Sequence, residues 1–179
     1  MNRLIEITKT NNIFQEHRDT PIGRLFEYHN LNRPFDVFSN AQLLIGMCMD
    51  NRLHLRSPDN FAYIIRAGGA NLQYSEFNIS YAIALGSIQH IAIIGHNNCG
   101  MTNLVSRKEQ FISGLIKHAG WDKESAEDHF TKSAPLFEIV NDIDFVLSEA
   151  KQLRLRYPKV TIAPIHYNIE DKQLYLIEE

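Results

Sequence analysis

Two stretches of this chain carry residues that can do chemistry together. Leu43-Leu44-Ile45-Gly46-Met47-Cys48-Met49-Asp50-Asn51-Arg52 is an apolar run ending in a cysteine, with a carboxylate two residues on and a guanidinium four residues on. Ile91-Ala92-Ile93-Ile94-Gly95-His96-Asn97-Asn98-Cys99-Gly100 is a second apolar run, ending in His-x-x-Cys. Cysteine sulfur and histidine nitrogen are preferred ligands of Zn²⁺, which is usually four-coordinate, and a catalytic zinc keeps one of the four positions for water or substrate. Cys48, His96 and Cys99 supply three ligands and leave that position open, which implies one Zn²⁺ per chain. Two thiolates neutralise the metal, so water held there is acidified less readily than beside three neutral histidines, and a nearby carboxylate helps to orient it. Asp50 suits that part, and Arg52 can hold it through a two-pronged contact. A released Asp50 can instead turn to the metal and close the fourth position. Each feature alone is ordinary: Asp50–Arg52 reads as a loop salt bridge, His96 as a core histidine. The full set, each half at the end of an apolar run, points to a metal centre.

The elements that must position these residues follow from hydrophobic patterning. Gln42–Met47, Phe61–Ile65 and His90–Ile94 are apolar without alternation, which predicts strands buried on both faces. The turn after the second, Arg66-Ala67-Gly68-Gly69, lets the backbone bend sharply or approach a ligand. A helix is expected from Ser75 to Leu85. Another is expected to open at Cys99 and run to about Lys117, with its dipole favouring the Cys99 thiolate. Residues 118–134 read as polar and irregular, with a short helix at 122–129. A long helix is expected from Pro135 to Tyr157, because Ile139, Val140, Ile143, Val146, Leu147, Ala150 and Leu153 recur at helical spacing. Val160–Tyr167 and Gln173–Ile177 read as a fourth strand and an antiparallel fifth. The expected fold is therefore α/β: a mostly parallel central sheet of four strands plus an antiparallel C-terminal strand, with helices on its faces. In such sheets ligands bind beyond the carboxyl ends of the strands. Cys48, the Gly68-Gly69 turn and His96 all fall there.

The chain's 179 residues, 44% apolar, suit one domain spanning 1–179. Within it, residues 1–40 read as an N-terminal arm, with short helices within Asn2–Phe14 and over Pro21–Tyr28, expected to pack on a partner subunit. The net charge of −3, with no run of Lys/Arg, argues against a nucleic-acid partner. No apolar run approaches the ~20 residues that span a bilayer, and Met1–Glu6 lacks the apolar core of a signal peptide. The expectation is a cytoplasmic protein with no membrane partner. Cys48 and Cys99 are the only cysteines, and a reducing cytoplasm disfavours a disulfide between them.

Cys48-Met49-Asp50-Asn51-Arg52, Arg66-Ala67-Gly68-Gly69 and Gly95-His96-Asn97-Asn98-Cys99-Gly100-Met101 together resemble the β-class carbonic anhydrases in order and spacing, over roughly residues 41–104. The resemblance implies zinc-dependent reversible hydration of CO₂ to bicarbonate by a zinc-activated water. It assigns Cys48, His96 and Cys99 to the metal and Asp50 and Arg52 to a catalytic dyad that opens or blocks it. It gives the Gly100 amide to the bound substrate, and it implies a homodimer or higher homo-oligomer with the site near the dimer interface. Two positions depart from the family pattern: Asn51 stands where serine is usual, and Arg66 is followed directly by Ala67, without the usual asparagine. Gln42, Phe35, Phe38 and Tyr81 are candidates for the substrate pocket, and His54 for a proton shuttle, although His54 reads more simply as a surface residue. The same zinc site also suits carbonyl sulfide or carbon disulfide, linear isosteres of CO₂. A catalytically silent, zinc-stabilised bicarbonate-binding module is the alternative from outside enzymology.

Overall fold

The computed structural model of the chain describes residues 3–179. Among them one six-stranded sheet runs through the molecule: β1 (Leu4–Glu6), β2 (Leu43–Cys48), β3 (Ala62–Ala67), β4 (His90–His96), β5 (Thr161–Tyr167) and β6 (Leu174–Ile177), in the spatial order β1-β6-β5-β4-β2-β3. The four strands β2 to β5 are mutually parallel, and β6 returns antiparallel to β5. This is the expected α/β sheet with one strand added. The sequence suggested a helix within Asn2–Phe14. Asn2 lies outside the described residues, and Leu4–Glu6 instead pairs antiparallel with β6, Leu4 opposite Ile177.

Two apolar cores lie on the two faces of this sheet. On one, Leu43, Ile45 and Met47 of β2 and Ala92 and Ile94 of β4 pack with Ile22, Leu25, Phe26 and Tyr28, which belong to α1 (Pro21–His29). The Thr20 hydroxyl caps this helix by accepting from the Ile22 amide, and Pro21 follows at the first helical position, where its missing N–H costs nothing. The apolar part of the N-terminal arm, from Ile7 to Tyr28, is thus buried against its own chain. Only the stretch that follows is open, with Phe35 half-exposed and Val37 almost wholly so. On the other face, Leu44, Ile91 and Ile93 pack under α2 (Glu76–Ala84) and α5 (Asp142–Arg156).

Three expectations are corrected. The strand at 62–67 is not buried: β3 is the sheet edge, with Tyr63 and Ile64 exposed, so its apolar run marks an outward surface. No helix opens at Cys99. Asn98 and Asn103 both take left-handed backbone (φ 54 each), which interrupts any regular turn, and α3 begins only at Lys108 and runs to Ala119. Finally, 118–157 holds two long helices. α4 spans Lys123–Phe137, capped by the Asp122 side chain on the Ser125 amide, with Pro135 in its last turn. α5 starts afresh at Asp142, capped by Asn141 accepting from the Asp144 amide at 3.0 Å.

One half-buried histidine, His29, ties α1 to the turn between β5 and β6. His29 Nε2 donates to the Lys172 carbonyl at 2.8 Å, and its Nδ1 accepts from the Arg56 amide at 2.9 Å. Both nitrogens are satisfied only in the neutral ring. Burial, with the Arg56 charge, pushes its pKa below the ordinary 6.5, and burial does the same for His17 and His90. At these three sites the unfolded chain therefore binds more protons than the folded one below about pH 6.5, and their contribution to stability falls as pH drops through that window. The slope is at most about 1.4 kcal/mol per pH unit for each proton. Thermal or urea unfolding between pH 7.5 and 5 is expected to show this loss. His29→Gln keeps a donor and an acceptor without titrating, and should make the slope shallower. An unchanged slope would remove His29 from the account.

Candidate metal centre

Cys48 ends β2 and His96 ends β4, which are neighbours in the sheet with Met47 opposite Ile94. Cys99 follows three residues after His96 in the turn beyond β4. One ligand atom from each of the three lies within 4.8 Å of the others, and all three residues are buried. The two sulfurs are 3.9 Å apart, and both thiols are free. The strand ends predicted from patterning alone do converge.

The donor set is that of a cation site. His96 Nδ1 donates to the Asn97 carbonyl at 2.8 Å, which fixes the tautomer and leaves Nε2 with a free lone pair. That Nε2 is buried with no hydrogen-bond partner, an unfavourable state for a polar atom unless something else occupies its lone pair. The hydrogen bond from Cys99 holds the Cys48 thiol well below its ordinary pKa, and the same bond, with burial, pushes Cys99 up. Burial alone would lower His96, but the adjacent Cys48 sulfur outweighs it and raises its pKa. The backbone amides of Asp50 and Gly69 turn to the Cys48 sulfur, and that of Met101 to Cys99. Gly69 has φ 65, with Met101 and Ile139 side chains packed where a Cβ would project. The glycine turn thus brings an N–H to a thiolate. Gly95 lets α5 close on β4, because a Cβ there would lie 2.5 Å from Val146 Cγ2. Soft sulfur and imidazole donors, tightly clustered, fit Zn²⁺.

The dyad is formed. Arg52 Nε donates to Asp50 Oδ1 at 2.9 Å and Nη2 to Oδ2 at 2.7 Å, and the Arg52 backbone amide also donates to Oδ1 at 2.9 Å. Arg52 holds the Asp50 carboxyl down at about 2. A third contact, Arg52 Nη2 to the Asn98 carbonyl at 2.9 Å, joins the two halves of the site. Gly100 lies in the turn directly after Cys99, with nothing within 4 Å of where its Cβ would be.

Sequence reasoning missed two supporting residues, Arg66 and Glu170. Arg66 donates to the carbonyls of Cys48, Asp50 and Leu53 at 3.3, 3.3 and 3.0 Å, holding the dyad loop in shape. The side chains of Asn97 and Asn98 both donate to Glu170, at 2.5 and 2.9 Å. Arg66 was visible as a cation beside a site glycine turn, but Glu170 carries no local signal. Among the pocket candidates, Gln42 sits at the amino end of β2 and Phe38 meets Phe61 at the amino end of β3 with the rings tilted by 53°. Phe35 meets Tyr28 edge-on, while Tyr81 is exposed on α2. His54 is an exposed loop residue. A groove of about 860 Å³ opens at the amino ends of β2 to β4 between Arg24, Gln42 and His90, and it holds none of the site residues. A smaller cavity of about 410 Å³ lies beside Asn98, Cys99, Thr102 and Asp142. The latter is at the carboxyl ends, where open parallel sheets bind ligands.

No protein-family model and no curated protein matches the chain. Solved structures do. The β-carbonic anhydrase isoform I of Trichomonas vaginalis superposes with a TM-score of 0.65 at 19% identity, covering 83% of this chain and 90% of that one. The carbonic anhydrase of Glaciozyma antarctica gives 0.61 at 20%, covering 78% and 84%. A carbon disulfide hydrolase in its apo form gives 0.54 at 20%, covering 75% and 77%. With this sheet order and these superpositions, the chain has the fold of the β-class carbonic anhydrases.

Proposed function

We propose that this protein is a zinc-dependent carbonate dehydratase, interconverting CO₂ and bicarbonate. The observation that carries the reading is the buried Cys48–His96–Cys99 cluster, with an unpartnered His96 Nε2, beside an aspartate clamped by arginine. Zinc held by these three residues supplies a Lewis acid that acidifies water. Asp50, kept anionic by Arg52, accepts a hydrogen bond from the attacking water and turns the water's lone pair to the carbon. Arg52 keeps Asp50 off the metal. The Gly100 amide donates to the anionic product. One C–O bond forms, and one proton leaves to solvent or buffer for each bicarbonate made.

The protein works in the cytoplasm, where two free thiols stay reduced, and no described helix is long and apolar enough to cross a membrane. It assembles as a homodimer or higher homo-oligomer. The exposed β3 edge with Tyr63 and Ile64, and Phe77 and Tyr81 exposed on α2 with Leu85 just after it, support this: unpaired edge strands and apolar patches are normally covered.

A second reading keeps the site and changes the substrate to carbon disulfide or carbonyl sulfide. The superposition on a carbon disulfide hydrolase favours keeping it. The deciding experiment is stopped-flow CO₂ hydration on protein of measured zinc content, with sulfide release from carbon disulfide and carbonyl sulfide assayed in parallel. CO₂ turnover at near one zinc per chain supports the first reading. Sulfide release without CO₂ turnover moves the function to the second, and zinc with neither activity leaves a binding module. Sedimentation of the same sample as a monomer would remove the oligomer.

A further inference from the structure

We infer that Glu170 is a positioning residue for the metal loop, setting the spacing of His96 and Cys99 before a metal arrives. This inference rests on Cys48, His96 and Cys99 being the ligand set. Only Asn97 and Asn98 separate His96 from Cys99, so the shape of those two residues decides whether both ligands face one point. Glu170 holds both. Its Oε2 accepts from Asn97 Nδ2 at 2.5 Å and its Oε1 from Asn98 Nδ2 at 2.9 Å. The other end of the Asn97 amide accepts from the Ile169 backbone N–H at 2.8 Å. The Asn97 side chain therefore has one orientation, since flipping it would break both bonds. Asn98 adopts φ 54, a left-handed conformation that an asparagine tolerates better than most residues.

Glu170 is itself anchored. Its backbone N–H donates to Asn168 Oδ1 at 2.9 Å, and the Lys172 amide closes the turn on the Asn168 carbonyl at 2.9 Å. The His29 bond to the Lys172 carbonyl described above fastens this turn to α1. On the opposite side, Arg52 donates to the Asn98 carbonyl. The loop between the ligands is thus braced from two directions, by the dyad arginine on its backbone and by Glu170 on its side chains. A loop with its ligands already placed loses less conformational freedom when the metal binds, so it binds more tightly. Removing the brace also loosens the carbonyl on which Arg52 rests.

The test is the zinc dissociation constant, measured by competition with a chromophoric chelator, together with the thiolate-to-metal charge-transfer spectrum of the cobalt-substituted protein. Glu170→Ala is expected to weaken zinc binding about tenfold or more and to shift the cobalt spectrum. Glu170→Gln offers one acceptor in place of two and should fall between. Asn98→Gly deletes the amide but takes the left-handed backbone freely; it should weaken zinc on its own, and Glu170→Ala should add less in that background than alone. If Glu170→Ala does not fold, Asn98→Gly carries the test. Zinc affinity within twofold of wild type, with an unchanged cobalt spectrum, would overturn the inference. A wild-type protein that takes up no zinc would instead overturn the metal centre itself.

Discussion

His96→Ala should empty the metal centre. Cys48 and Cys99 alone leave two protein ligands, and a three-ligand site that loses its only imidazole gives up a large share of its binding free energy. Structural zinc sites with four ligands bind with ~10–16 kcal/mol, so one ligand is worth roughly 3–4 kcal/mol, several hundred-fold in affinity. Zinc per chain after dialysis is expected to drop from about one to near zero, and CO₂ hydration to the uncatalysed rate. Circular dichroism should stay close to wild type, because His96 stands at the end of β4 and the apolar core runs through Ile91 to Ile94 behind it. Full zinc retention in His96→Ala would remove His96 from the ligand set and with it the proposed mechanism.

Arg52→Ala should leave zinc in place and abolish turnover. Asp50 loses both prongs of its clamp and the charge that keeps its carboxyl low. The freed carboxylate lies two residues from Cys48 and can turn into the position that water must hold. Loss on the order of 100-fold or more in kcat/KM is expected, the size seen when an oriented charged group is removed from a site. Arg52→Lys restores one charge but no fork, and should recover only part of the rate. Stopped-flow hydration on zinc-replete variants reads this directly. Activity within threefold of wild type in Arg52→Ala would sink the dyad.

The strands that carry the ligands were legible because they are buried on both faces. Leu43–Cys48 and Ile91–His96 are continuous apolar runs that stop at polar, reactive residues. What failed was whatever depended on distant partners or on competing local signals. Leu4–Glu6 is too short to show a period, and it becomes a strand only because Ile177 lies beside it. The apolar spacing of 139–153 hid the start of a new helix, although Asn141 followed by Asp142 and Asp144 carried an N-terminal signature. At the site, cysteine and histidine announce themselves by chemistry. Glu170 and Arg66 act through plain hydrogen bonds to amides and carbonyls, which no residue type advertises.

Cys48 and His96 come from different strand–helix units, with β3 and α2 lying between them in the chain. They meet only because β4 inserts beside β2, inside the sheet and away from its edge. A partly assembled chain therefore has no place to hold zinc, and metal loading is a readout of finished architecture, where a zinc finger uses the metal as its nucleus. In refolding, the uptake of zinc should lag behind the burial of the core, so that a loaded centre forms only in molecules already built.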